Sequence, residues 1–127
     1  MDLKSYFSNL YTMVMADNDK SEDEMILLYK IGKEQFNLTE EEMDRMVITD
    51  EPLYYIPQTE TDKLLYLYDM ARIAWADGKV VPEEEKLLRK TMERFGVNHN
   101  DIGDLTAFLL EKGKENLPHE DFLKYVN

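Results

Sequence analysis

The sequence predicts an all-α fold of about seven helices. Apolar residues recur at three- and four-residue steps, and capping-box spacings open successive segments. An alternating strand period and an Asn-Gly hairpin turn are both absent. Leu3, Phe7, Leu10 and Val14 share one helical face and define the first helix. Asp17-Asn18-Asp19-Lys20 breaks it. Ser21 then precedes Glu24 by three residues, the spacing at which a hydroxyl and a carboxylate satisfy each other's backbone amides at a helix start. The second helix buries Leu27, Leu28, Ile31 and Phe36 and stops at Asn37, which tolerates the left-handed conformation of a C-terminal cap. Thr39 and Glu42 repeat the capping spacing and open a short third helix with Met43, Met46 and Val47.

Pro52 and Pro57 cannot continue a helix, so residues 49–59 form a connector. Beyond it the chain repeats itself. A shift of sixty residues aligns Tyr6 with Tyr66, Ala16-Asp17 with Ala76-Asp77, Glu24 with Glu84, and Leu27-Leu28 with Leu87-Leu88. The helix from about Thr61 to Ala76 is the least polar and is expected at the centre. Pro82 starts the next at its first helical position, where the missing N–H costs nothing. Phe95-Gly96-Val97 repeats the cap logic of Phe36-Asn37-Leu38, with glycine as the left-handed residue. A sixth helix carries Ile102, Leu105, Phe108 and Leu109, with Gly113 after it. A seventh, from Pro118 to Val126, packs Phe122 and Tyr125 onto the body. The expected organisation is one domain over 1–127. It comprises repeat one (about 2–48), the connector (49–59), repeat two (about 60–112) and a C-terminal helix (about 117–126).

Composition narrows the chemistry. The 127 residues contain 15 Lys+Arg against 27 Asp+Glu, a net charge of −12. The first sixty carry 14 acids and 5 bases, so the negative field is concentrated in half one. Such a surface repels phosphate, which disfavours nucleic acid and anionic membrane and favours divalent cations or a basic protein surface. With no cysteine there is no disulfide, thiolate metal site or cysteine nucleophile. No secretory signal or bilayer-length apolar run is visible, and the expectation is a cytoplasmic protein without membrane insertion.

What repeats beyond the needs of packing is the acidic turn. Half one reads Ala16-Asp17-Asn18-Asp19-Lys20-Ser21-Glu22-Asp23-Glu24, and half two reads Ala76-Asp77-Gly78-Lys79-Val80-Val81-Pro82-Glu83-Glu84. Each places Asp at a helix end and Glu seven positions on. This resembles the TerB (tellurite-resistance) family, whose repeated signature is Ala-Asp-Gly-x-(Val/Ile)-(Ser/Thr)-x-x-Glu, over roughly Leu3 to Leu109. Copy two is the closer match. Copy one has Asn18 for the glycine and Lys20 for the apolar residue, and copy two has Val81 where Ser or Thr would cap. The resemblance implies an all-helical bundle whose acidic turns gather on one face and hold a divalent metal. It also implies links to tellurite and other stress responses, to membrane-associated complexes and to the amino-terminal part of a co-chaperone. The His-Pro-Asp of that co-chaperone's J-domain does not occur in this sequence.

Carboxylate oxygens suit Ca²⁺, Mg²⁺ or Mn²⁺. The candidate metal ligands are Asp17, Asp19, Ser21 and Glu24 in half one, with Asp77, Glu83 and Glu84 in half two. The first group is not an EF-hand, because Glu22 stands where that loop needs glycine and Leu28 where it needs a bidentate glutamate. The competing explanation is structural: acids at a helix start interact favourably with the macrodipole and cap the first turn. Enzyme chemistry is not expected. His99 and His119 read as exposed turn residues, no Glu-x-x-His exists, and no glycine-rich phosphate loop occurs. The eight methionines read as adaptable core filler. Tyr54 and Tyr55 in the connector cover the core or, if exposed, anchor a protein partner. Trp75, just before the second acidic turn, reads as core and as a reporter on that turn. The expected function is a non-enzymatic acidic module binding a cation or a protein, with a purely structural helical adaptor as the alternative and the oligomeric state left open.

Overall fold

A computed structural model describes residues 7, 10, 11, 13, 14, 22–49, 56–76 and 78–126, with the backbone alone at 47–49. Within these residues the regular structure is entirely helical. Phe7, Leu10, Tyr11, Met13 and Val14 are helical and buried, as the first predicted apolar face requires. Six further helices follow: α1 (Glu22–Phe36), α2 (Glu40–Thr49), α3 (Glu60–Ala74), α4 (Pro82–Arg94), α5 (Ile102–Glu115) and α6 (His119–Leu123). A single 3₁₀ turn, His99–Asp101, leads into α5.

The ends follow local chemistry. Thr39 caps α2 reciprocally: its hydroxyl accepts from the Glu42 amide at 3.1 Å, and the Glu42 carboxylate accepts from the Thr39 amide at 3.2 Å. Thr59 caps α3 by accepting from the Asp62 amide at 3.0 Å. Asn37 closes α1 at φ 53°. Gly96 closes α4 at φ 84°, and Val97 N–H bonds the Met92 carbonyl at 3.0 Å in a Schellman arrangement. Ser21, proposed as the α1 cap, lies outside the described residues.

The central position expected for α3 is observed. Tyr66 through Ala74 are all buried, so this helix has no solvent face over its second half. It packs against α1, α4 and, most extensively, α5. The α3–α5 contact is close because Gly113 lies on it. A Cβ there would sit 2.8 Å from both the carbonyl carbon and the Cβ of Ala71. This corrects the expectation that Gly113 follows the helix. The helix continues to Glu115, and Asn116, at φ 54°, is the left-handed cap. Met13, Met43, Met70 and Met92 fill the core as anticipated. Of the two aromatics assigned to the last helix, Phe122 is fully buried but Tyr125 is exposed, its ring lying under the Lys112 ammonium at 3.8 Å.

Candidate functional site

The second acidic turn begins where α3 ends. Trp75 is the C-cap of α3, and its indole N–H donates to the Leu110 carbonyl of α5 at 2.7 Å. Gly78 turns the chain at φ 91°, its N–H bonding the Trp75 carbonyl at 2.8 Å. Only a residue without a Cβ adopts that conformation at no steric cost. Val81 is then extended, and Pro82 starts α4. The Glu84 carboxylate reaches back to the Val81 N–H at 3.0 Å, completing the half of a capping box that needs no hydroxyl at Val81.

The predicted ligands among the described residues differ in burial. Glu84 is 1% exposed and Glu24, its counterpart sixty residues earlier, 0% exposed. Glu83 faces solvent beside Pro82, and Glu22 and Asp23 are exposed on α1. Capping alone does not require this burial. Glu42 makes the same reciprocal bonds with Thr39 while remaining half-exposed. A carboxylate withdrawn from water carries a solvation cost that a surface cap avoids. Asp17, Asp19, Ser21 and Asp77 lie outside the described residues, as do Tyr54 and Tyr55. Among the described residues, no group of three or more His, Asp or Glu side chains is arranged to hold a metal ion. Glu24, Glu83 and Glu84 therefore do not make a cation site by themselves.

The model of the family described as tellurite resistance protein TerB matches residues 56–107. Over that stretch the chain is similar to the TerB family. The matched region runs from the end of the connector through α3, α4 and the first part of α5, so it contains the second acidic turn, the copy nearer the signature. Neither the curated proteins nor the solved structures gave a match. Among the described residues, no helix is long and apolar enough to cross a membrane.

A polar cluster that the sequence did not disclose joins α3, within the matched region, to residues beyond it. Asp69 and Arg72 read there only as interruptions of an apolar run. In the structure both are buried on α3 and paired at 3.1 Å. His119, expected to be an exposed turn residue, is mostly buried, and its Nε2 lies 2.7 Å from Asp69 Oδ1. Arg72 Nε donates to Asn116 Oδ1 at 2.8 Å, and the Tyr68 hydroxyl donates to the Leu117 carbonyl at 2.7 Å. Phe122 stacks on Tyr68 with centroids 3.9 Å apart and planes within 5°. The available signal was spacing: Asp69 and Arg72 are three apart, the separation at which helical side chains meet. His99 is exposed, as expected.

A concavity lies toward the other end of α3. It is a cleft of about 320 Å³ lined by Leu64, Leu67, Phe95, Val97 and Leu105, with Lys63 and Glu60 at the rim. Lys63 is paired with Glu60 at 3.4 Å. The cleft contains no nucleophile–base pair, since its titratable lining groups are these two alone.

Proposed function

We propose that this protein is a non-enzymatic, TerB-like binding module of the cytoplasm. Its repeated Asp…Glu turns engage a divalent cation, a basic protein surface, or a basic partner through the cation, in a stress response of the tellurite-resistance type. The observation that supports this most is the burial of Glu24 and Glu84. Two carboxylates at equivalent positions of the repeat are withdrawn from water, although Glu42 shows that capping proceeds without it. The exposed Glu22, Asp23 and Glu83 beside them, and the net charge of −12, supply a field that attracts cationic ligands of either kind. The Asp17, Asp19, Ser21 and Asp77 oxygens would complete the donor set, and Tyr54 and Tyr55 would anchor the protein partner.

A structural adaptor is the competing function, favoured by one observation: the Glu84 carboxylate already has a partner in the Val81 N–H. Calorimetric titration of chelator-stripped protein with Ca²⁺, Mg²⁺ and Mn²⁺ separates the two. The binding module predicts a saturable heat that Asp77→Asn abolishes while helix content is retained. An adaptor whose carboxylates only cap gives no saturable heat with any of the three.

A further inference from the structure

The last eleven described residues, Asn116–Val126, lie beyond the family-matched region and are attached differently from the rest of the molecule. The helix within them, α6, has five residues, too few to persist by itself in water. It makes few backbone contacts with any other helix and is held by side chains. Most of those side chains meet one face of α3, while Phe122 also lies against Phe108 and Tyr125 against Lys112 on α5. Arg72 holds Asn116, Tyr68 holds the Leu117 carbonyl and stacks on Phe122, and Asp69 holds His119. Asp69 and Arg72 are the acid and the base within the buried second half of α3, and both face this segment. Asp69 and Arg72, three residues apart on α3, keep each other as partners when the segment leaves.

We propose that Asn116–Val126 is a strap that opens from α3 as one unit, with the rest of the fold intact, and that opening uncovers the Tyr68–Asp69–Arg72 face. The left-handed Asn116 between α5 and α6 is the pivot, since it ends one helix and redirects the chain into the strap. Closed, the strap covers an aromatic ring and an ion pair on the central helix. Open, it exposes both beside Trp75 at the end of the same helix. Proteins open in such cooperative sub-units at free energies below that of global unfolding, and the low-stability units are those with few backbone contacts to the body.

Native-state hydrogen exchange on the full chain tests this, followed at the amides of Phe122, Lys124, Tyr125 and Val126, which are bonded within the strap. The expected result is one shared opening rate for the four, faster than exchange in α3 and α5. His119→Ala should accelerate it about tenfold, the loss of one charge-assisted contact, while α3 and α5 are unchanged. Asn116→Gly, which keeps the left-handed pivot and deletes the Arg72 acceptor, should do the same. Rates graded inward from Val126 would mean simple fraying and overturn the proposal. Strap amides that exchange only with global unfolding, or variants that accelerate all helices equally, would overturn it too.

Discussion

Glu42 and Glu84 perform the same capping task in different surroundings, and the difference isolates what burial adds. Both accept from the backbone N–H three residues earlier, at 3.2 Å and 3.0 Å, but only Glu84 is withdrawn from water. Glutamine completes a capping box as well as glutamate does. Glu42→Gln should therefore change stability by less than about 0.5 kcal/mol in denaturant unfolding, the usual range for a change at an exposed site. If the proposed site uses the Glu84 charge, Glu84→Gln should shift it clearly more; equal small effects would assign Glu84 to capping alone. Thr39→Ala, which removes the hydroxyl half of the α2 box, should cost about 1 kcal/mol. The tyrosines supply a pH test. Burial pushes the Tyr68 hydroxyl up to about 12 from its ordinary 10.0, and burial also raises Tyr66. Between pH 10 and 12 the folded chain retains protons that the unfolded chain releases, so this contribution is whole below pH 10 and is lost as pH rises through 12. Denaturant midpoints should fall over that window together with the appearance of phenolate absorbance. A flat midpoint across it would contradict the burial of these hydroxyls.

At the level of elements, the α3–α5 crossing is a close joint of backbone against backbone at which a single atom makes a test. Gly113 lets the α5 backbone approach Ala71, and a methyl group there would meet backbone 2.8 Å away, where nothing can swing aside. Gly113→Ala should destabilise the fold by about 1–3 kcal/mol, despite alanine's better helix propensity. Stabilisation, as at an ordinary helical glycine, would show that the helices do not cross this closely. Helix existence was legible in the sequence because it rests on local rules: Thr39–Glu42 as a capping box, Pro82 as a first helical residue, Gly96 as a left-handed cap. Gly113 and His119 were misjudged because their roles depend on contacts across long sequence separations, with Ala71 and Asp69 respectively. A glycine near a helix end reads locally as a stop, and a histidine after proline reads as a loop. Neither local signal contains the neighbour that decides the matter.

Across the whole molecule, charge and repeat point the same way. The internal repeat identified Glu24 and Glu84 as equivalent, and their common burial is the structural counterpart of that equivalence. The repeat could not tell an inward from an outward carboxylate, because Glu83 and Glu84 are adjacent acids in one helical turn and only the packing of α4 distinguishes them. The family match over 56–107 falls on the half whose turn keeps its glycine and carries less net charge, while the denser negative field belongs to the other half. A binding module assembled this way should respond to a cation as a whole, since occupancy at the turns stabilises the folded state by mass action. The decisive measurement is thermal unfolding of chelator-stripped protein with and without saturating Ca²⁺, Mg²⁺ or Mn²⁺, with Trp75 fluorescence followed in parallel. A cation at one hundred times its dissociation constant should add about 2.7 kcal/mol and raise the melting temperature by several degrees, and Asp77→Asn should erase both. An unchanged melting temperature and fluorescence at millimolar concentrations of all three would contradict cation binding and leave the carboxylates as caps and surface charge.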